Sequence, residues 1–202
     1  LPFPHTIFNT ALLPSPYNLI PAGIYPYTVT DMNGCLQSDT ITINESASLY
    51  TSLIVSNYNG GYNISCNGLY DGFIDIQANG GTFPYTYYFN DTLIANPSIS
   101  GLAAGTYTDS IIDDNGCIFT ETIILTEPAT LNSGLSTINA SCNGVCDGTI
   151  SLNVSGGTPG FGYQCYGPNG AVNILNPLCA GNYMVVITDN NSCTLTDSAI
   201  IS

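Results

Sequence analysis

Short runs of β-branched and aromatic residues alternate along the chain with Gly, Asn, Asp and Pro, and this pattern predicts closely spaced β-strands. In the run at 74–78, Ile and Ala alternate with Asp and Gln, which indicates a strand with one buried face. The same alternation returns at 150–154. Because helix patterns are almost absent, the sequence predicts an all-β sandwich.

A second alternating run follows each Ala-Gly pair, as at 25–29 and 183–187. The middle copy of this run breaks the alternation, because Asp109 stands where the pattern requires an apolar residue. A carboxylate that faces a core is costly unless it is hydrogen-bonded. We therefore expect either a bulge that shifts the register at Asp109 or a specific bonding partner for it.

A tyrosine stands at the start of each of these runs, at Tyr25, Tyr107 and Tyr183. In Ig-like sandwiches a tyrosine at this place bonds through its hydroxyl to nearby backbone and forms a tyrosine corner. Alternatively, each is simply a large β-forming residue in a core. The sequence leaves both interpretations open.

The cysteines reveal an internal repeat, because Cys66 and Cys117 are 51 positions apart, as are Cys142 and Cys193. The segment ISCNGLYDG at 64–72 returns as ASCNGVCDG at 140–148. These repeats predict three units: unit one at 1–46, which begins inside its domain, and two complete Ig-like units, unit two at 47–128 and unit three at 129–202. Arrays of this kind usually supply length or valency instead of one buried active site.

Two irregularities interrupt the repeat. Residues 4–8 align with 84–88 in the middle of unit two, so either the sequence is a window on a longer polypeptide or another chain completes unit one. Unit two also carries a six-residue insertion in the Asn/Gly-rich stretch before Ile64, where we expect a longer hairpin.

Charge excludes several classes of partner. The chain has no Lys or Arg and 14 acidic residues, for a net charge of −14. Nucleic acid binding is excluded because it requires cationic side chains, and an anionic membrane surface would repel the chain. No run of 18 apolar residues is present, so no direct membrane insertion is expected. The carboxylates must be solvated, bonded to backbone N–H groups or neutralised by metal ions.

Eight cysteines without metal-type clustering indicate an oxidising, extracellular location. We expect disulfides between Cys66 and Cys117, and between Cys142 and Cys193, with a third between Cys165 and Cys179. Cys35 occupies the second-cysteine position of unit one, so its partner would lie upstream of Leu1. Cys146 is extra to the pattern.

Enzymatic chemistry finds little support, so we expect no enzyme. The single histidine, His5, lies in the incomplete unit. The three glutamates, Glu45, Glu121 and Glu127, lie in or just after terminal strands without a cleft pattern. No P-loop lysine exists to hold a phosphate.

Calcium is the one ligand that the composition favours, because oxygen ligands are plentiful and no cationic side chain neutralises the negative charge; no cofactor is required. The candidate ligands are Asp71 and Asp147, before a glycine, and Asp31, Asp113 and Asp189, in Asp-x-Asn-x-Cys turns. Aspartates at such positions also commonly accept backbone N–H bonds within the turn. No EF-hand spacing is present.

Several motifs recur in a fixed order: SCNGxxDGxI, then GGTxPYTY, then LxAGTYxxxxxDxNGC. This order resembles the SprB-type repeat of Bacteroidota surface adhesins, over both complete units and the visible part of unit one. The AGTYxVxVTDxxG stretch is also similar to PKD-type sandwiches. Unit three departs from the pattern at 159–161, Pro-Gly-Phe, and in its three added cysteines.

The resemblance implies a very long, secreted cell-surface protein with many tandem Ig-like modules, exported by type IX secretion and involved in gliding motility or attachment. The same resemblance suggests O-glycosylation of the Bacteroidota type. Its rule is an Asp, followed by the modified Ser or Thr, followed by an apolar residue or Thr. The O-glycan sites that fit this rule are Thr40, Thr92, Ser110 and Ser198.

Together these features predict a non-enzymatic adhesive array that serves as the stalk of a cell-surface adhesin, with adjacent repeats as its partners. One alternative is a self-assembling extracellular filament, in which neighbouring chains pair. Another is a carbohydrate-binding module for surface glycans, which the 14 Tyr residues favour and the absence of Trp weakens.

Overall fold

The computed structural model describes residues 6–7, 20–172 and 177–202. Sixteen β-strands run through these residues, and every pair of neighbouring strands is antiparallel. No α-helix occurs in these ranges; the nearest to one is a single 3-10 turn at Asn59–Gly61. The predicted fold class, all-β with tandem Ig-like sandwiches, is confirmed.

Unit one contributes one sheet to the described residues. Its strands are β1 (Thr6–Ile7), β2 (Gly23–Thr30) and β3 (Leu36–Ile43), which lie in that order across the sheet. The acidic turn at 31–35 joins the long hairpin of β2 and β3.

Unit two consists of two sheets that enclose a core. Its strands are β4 (Tyr50–Val55), β5 (Gly72–Asn79), β6 (Thr86–Phe89), β7 (Thr92–Ile94), β8 (Ser98–Leu102), β9 (Gly105–Ile112) and β10 (Ile118–Leu125). One sheet has the order β4-β5-β8 and the other β10-β9-β6-β7. This division into three and four antiparallel strands is typical of Ig-like sandwiches.

The strands of unit three repeat this plan, although the first two are shorter than their counterparts in unit two. They are β11 (Ser136–Ile138), β12 (Thr149–Ser151), β13 (Gly162–Gly167), β14 (Gly170–Val172), β15 (Gly181–Thr188) and β16 (Thr194–Ile201). β11 pairs with β12, and the second sheet has the order β14-β13-β15-β16. A bridge between Gly148 and Leu178 stands where unit two has the pairing of β5 with β8.

The predicted buried faces of the strands supply both cores. In unit two, Ile74 and Ile76 of β5 pack with Ile111 of β9. In unit three, Ile150 of β12 packs with Val185 of β15 and its neighbours. Alternation therefore identified the strands and also the faces that they bury.

Asp109 contradicts both alternatives that the sequence offered. The pairing of β9 with β10 runs without a register shift through Asp109, which lies opposite Glu121. The side chain is fully buried, and neither carboxylate oxygen has a hydrogen-bond partner among the described residues. Burial, together with the charge of Glu121, raises the pKa of Asp109 from 3.8 to about 6.

The tyrosine at the start of each second run forms the same hydrogen bond in all three units. The hydroxyl donates to a backbone carbonyl four residues upstream, at distances of 2.7 Å for Tyr25, 2.9 Å for Tyr107 and 2.8 Å for Tyr183. This favours the tyrosine-corner interpretation.

The six-residue insertion in unit two does not form the longer hairpin that we expected. Its residues fold into a compact loop around the turn at Asn59–Gly61, which the Tyr58 N–H closes by donating to the Tyr62 carbonyl at 2.8 Å. Gly60 and Gly61 both have positive φ values, 84° and 79°, which glycine adopts without strain. The loop extends toward unit three.

Candidate functional site: the joint between units two and three

Each complete unit carries its two repeated turns at opposite ends. The Cys-Asn-Gly turn lies at 64–72 in unit two and at 140–148 in unit three. In unit two it ends where β5 begins, and in unit three it ends at the strand bridge of Gly148. The acidic turn (113–117 in unit two, 189–193 in unit three) meets the other end, since Asp113 accepts the N–H of Thr82 at 2.9 Å, just after β5. An eight-residue strand spans about 25 Å.

The Cys-Asn-Gly turn is held by an aspartate at its end. The Asp71 carboxylate accepts the Ser65 N–H at 3.1 Å and the Ser65 hydroxyl at 2.5 Å. Asp147 accepts the Ser141 N–H at 2.8 Å in the corresponding turn of unit three. The Ser141 hydroxyl and N–H lower the pKa of Asp147.

The acidic turn is organised around its first residue. The buried Asp189 carboxylate accepts N–H groups from Thr158, Asn191 and Cys193 at 2.8–2.9 Å. In unit two, burial opposes ionisation of Asp113, but the N–H groups of Cys117 and Thr82 lower its pKa overall. In unit one, Asp31 accepts two N–H groups, those of Asn33 at 2.9 Å and Cys35 at 2.8 Å.

Asn191 connects the acidic turn of unit three to unit two. Its side-chain amide donates to the backbone carbonyls of Asn59 and Ser65, each at 3.1 Å, and to the Thr158 hydroxyl at 2.9 Å. Its side-chain oxygen accepts the Asn59 N–H at 3.1 Å. The Asn59 side chain in turn donates to the Asn190 carbonyl at 3.1 Å. The inserted loop of unit two therefore builds part of this joint.

The linker between the units is fixed by the Cys-Asn-Gly turn of unit two. The Asn67 amide donates to the Glu127 carboxylate at 2.9 Å and to the Pro128 carbonyl at 3.0 Å. The other Glu127 oxygen accepts the Gly68 N–H at 2.7 Å, and the Thr130 hydroxyl donates to the Asn67 side-chain oxygen at 2.8 Å. Glu127 thus obtains neutral donors in a chain without cationic partners.

A disulfide between Cys66 and Cys193 closes the joint; their Cα atoms are 5.7 Å apart and the two residues are 127 positions apart in sequence. The predicted pairs Cys66–Cys117 and Cys142–Cys193 are therefore wrong in this structure. The two cysteines of one unit lie at opposite ends of a sandwich, far beyond the reach of a disulfide. Cys66 instead meets the acidic turn of the following unit.

The third predicted pair, Cys165–Cys179, is also replaced in the structure. Cys179 bonds to Cys146, which lies close by because the bridge between Gly148 and Leu178 brings the two segments together. Cys165 faces the core of unit three, where burial raises the pKa of its thiol. The remaining free thiols, Cys35, Cys117 and Cys142, are exposed.

The five candidate calcium ligands do not converge. Each lies in its own turn and accepts at least one backbone N–H, and Asp71 also accepts the Ser65 hydroxyl. The described ranges contain no group of three or more His, Cys, Asp or Glu residues that could hold a metal ion. Calcium binding stays a prediction.

The predicted O-glycan sites lie on four different strands, β3, β7, β9 and β16. Thr40, Thr92 and Ser198 are exposed, whereas Ser110 is half-buried and its hydroxyl lies 2.9 Å from that of Thr120. Modification at these sites stays a prediction.

Sequence reasoning missed the joint itself. Asn59, Asn67 and Asn191 were not identified, although the first lies in the insertion and the other two lie inside the repeated turns. Comparison of the two complete units supplies the missing signal, because an insertion beside a repeated turn indicates a unit-specific contact.

Comparison with known proteins agrees with the repeat. No curated protein matches the chain. Among the residues that the structure describes, none form a helix with the length and hydrophobicity needed to cross a membrane. Residues 54–92 and 135–170 each match the model of the SprB repeat family, a structural repeat of surface-associated proteins, and this match confirms the predicted resemblance to SprB-type repeats.

Proposed function

We propose that this chain is a stalk segment of a secreted cell-surface adhesin, in which disulfide-linked Ig-like repeats hold a binding region away from the cell. Adjacent repeats of the same polypeptide are its partners, and the segment performs no catalytic step. Attachment or gliding motility is the process that such a stalk serves.

The joint between units two and three is the observation that supports this proposal. A flexible linker would let neighbouring modules bend freely, whereas here the linker is bonded to unit two at Glu127 and Pro128. The Cys66–Cys193 disulfide and the contacts of Asn191 add attachments on a second side of the linker. Two attachments on different chain segments restrict both bending and twisting.

The charge distribution also suits an extended array. The 14 acidic residues of the chain are distributed over its repeats without any basic residue, so the repeats repel one another and a compact arrangement is disfavoured. The polar side chains at the joint are mostly amides and hydroxyls, which bond without adding charge. Neighbouring repeats can therefore stay in contact at their joints while the array as a whole remains extended.

Electron microscopy of the oxidised chain over a range of concentrations tests this function. The stalk proposal predicts isolated rods of constant length at every concentration, with a fixed angle between units two and three. The variant Cys66→Ser with Cys193→Ser is the matched control, and its angle should vary more widely. Concentration-dependent filaments with a regular repeat would contradict the stalk and support the self-assembling filament instead.

A further inference from the structure

We propose that Cys117 and Cys142 are half-sites for further disulfides between repeats, each completed by a cysteine of another repeat of this kind. Cys142 takes the cysteine of an acidic turn, and Cys117 takes the cysteine of a Cys-Asn-Gly turn. This proposal rests on the proposed function, because it requires that this chain lie beside more repeats. It extends the one observed joint into a rule for the array.

The turn that carries Cys142 has the same construction as the turn that carries the bonded Cys66. The Val145 N–H donates to the Cys142 carbonyl at 3.1 Å, and the Leu69 N–H donates to the Cys66 carbonyl at 3.2 Å. The glycine two positions after each cysteine has a φ of 83° and 77° respectively. Cys142 therefore presents its thiol on a backbone of the same shape as the one that carries Cys66.

The turn that carries Cys117 likewise repeats the turn that carries the bonded Cys193. The N–H of each cysteine donates to the aspartate that starts its turn, at 2.8 Å for Cys117 and 2.9 Å for Cys193. The side-chain amide of Asn115 donates to the Thr82 hydroxyl at 2.8 Å, as the Asn191 amide donates to the Thr158 hydroxyl at 2.9 Å. Asn115 is exposed, so its amide is available for a neighbouring repeat.

Position in the fold separates the two half-sites from each other. Cys66 and Cys193 meet because the Cys-Asn-Gly end of unit two faces the acidic end of unit three. The same direction of the array puts Cys117 at the far end of unit two and Cys142 at the far end of unit three. Both thiols are free and exposed, so a partner can reach each of them.

The joint beyond unit three would depend on its disulfide more than the observed joint does. Unit three lacks the six-residue insertion of unit two, and with it the counterpart of Asn59. It retains Asn143, which corresponds to the linker-binding Asn67. The covalent bond and the linker contacts would remain, while the contact between loop and acidic turn would be lost.

Bond formation requires an oxidant, and a small-molecule disulfide such as oxidised glutathione supplies it. The Cys142 thiolate attacks one glutathione sulfur, which forms a mixed disulfide and releases one glutathione thiolate. The thiolate of the partner cysteine then displaces the second glutathione. Two protein thiols are oxidised to one disulfide, one glutathione disulfide is reduced to two thiols, and the two protons pass to solvent or to the released thiolates.

The test is a fusion in which a second copy of residues 45–202 follows Ser202 of the whole chain directly. The first copy carries Cys117→Ser and the second carries Cys142→Ser, so the peptides of Cys142 and Cys117 each come from one copy only. Glu45 and Ala47 correspond to Glu127 and Ala129, so the fusion reproduces the linker spacing of the observed joint. The fusion is oxidised in glutathione buffer, digested and mapped by mass spectrometry without reduction. We expect Cys142 of the first copy to be joined to Cys117 of the second, and the label for free thiols at both to be lost.

The Cys66–Cys193 peptide pair, which both copies should give, reports whether the fusion folds. A free Cys142 in molecules that contain that bond would overturn the proposal, and so would bonding of Cys142 to cysteines without preference. Rods in electron microscopy with a free Cys142 would leave the stalk function intact and remove this inference alone. The fusion with Cys142→Ser in both copies is the control, in which Cys117 of the second copy should regain its label.

The unfused chain gives a measurement that does not depend on folding of the fusion. An equimolar mixture with a ¹⁵N-labelled copy is oxidised, and mixed-isotope disulfides are identified. We expect Cys142 to pair with an acidic-turn cysteine, Cys35 or Cys117, more often than indiscriminate pairing of the three exposed thiols would give. Pair frequencies that match indiscriminate pairing, or no pair that includes Cys142, would overturn the proposal.

Discussion

Replacement of Asp109 by valine should stabilise unit two at neutral pH. Asp109 is fully buried, its oxygens lack hydrogen-bond partners among the described residues, and it lies opposite Glu121 on the neighbouring strand. Unit three has Val185 at the corresponding position, also fully buried in its core. The substitution thus gives β9 of unit two the residue that β15 of unit three has at the same position.

The size of the effect follows from the raised pKa of Asp109. Burial, and then the charge of Glu121, shift it from 3.8 to about 6. A shift of this size corresponds to about 3 kcal/mol of preference for the protonated form in the folded state. Because the folded pKa is raised, the stability that Asp109 contributes is present below about pH 4 and is lost as the pH rises through about 6.

The valine variant should therefore gain about 3 kcal/mol in free energy of unfolding above pH 6. Urea unfolding followed by circular dichroism at about pH 4 and at about pH 7.5 measures this difference. Burial also raises the pKa of Glu121, so any pH dependence of the same sign that remains in the variant is assigned to Glu121. Asp109→Asn should flatten the pH dependence with a smaller gain, because it removes the charge but leaves a buried amide.

Asp114→Asn is the surface control, since Asp114 is exposed in the same unit and should change little. Equal stability of the unmodified chain at the two pH values, together with no gain in the valine variant, would refute the reasoning. A gain in the variant at both pH values alike would assign the effect to packing instead of ionisation.

Three further predictions concern the corner, the joint and the turns. Tyr107→Phe removes the hydroxyl bond to Ala103 and should cost about 1 kcal/mol in urea unfolding; an unchanged midpoint would contradict a stabilising corner. Loss of the Cys66–Cys193 bond by double serine substitution should lower the free energy of unfolding by up to about 5 kcal/mol on the loop-entropy model. It should also speed cleavage at Glu127 by a glutamate-specific protease. An equal cleavage rate would show that the disulfide does not restrain the linker. The calcium prediction expects EDTA to lower the melting temperature by several degrees, whereas an unchanged melting temperature would show that backbone donors alone satisfy the turn carboxylates.

Local periodicity allowed much of the fold to be predicted from the sequence. The alternation at 74–78 and 150–154 reports which side of a strand avoids water, and burial of that side is what organises the sandwich. The repeat likewise located both turns, because their Gly, Asn and Asp residues are required by the local backbone. These features depend on neighbours in sequence, so the sequence displays them directly.

The joint could not be predicted in the same way. The equal spacing of Cys66–Cys117 and Cys142–Cys193 records the length of a repeat, and it does not say whether the two cysteines of one repeat meet. The direction of β5 decides this, since it carries the chain from the Cys-Asn-Gly turn at one end of the sandwich to the contact with Asp113 at the other. Estimating the length of that strand would have excluded the pairing within a unit.

Asp109 shows a different limit of sequence reasoning. The break in alternation was visible, but the expectation that a buried carboxylate must find a partner or a bulge was wrong here. The favourable packing of Ile111 and the other core residues around it holds the strand in register despite the cost. The cost of burying one carboxylate predicts whether its replacement stabilises the protein more directly than it predicts the structure around it.

Disulfide mapping of the oxidised chain tests the central claim most directly. The chain has no Lys or Arg for trypsin, so digestion with pepsin at low pH, which also suppresses disulfide exchange, is the suitable method. The structure predicts a peptide pair that joins Cys66 to Cys193, and a second that joins Cys146 to Cys179. Pairs that join Cys66 to Cys117 and Cys142 to Cys193 would instead confine each bond to one unit and contradict a covalent joint between repeats.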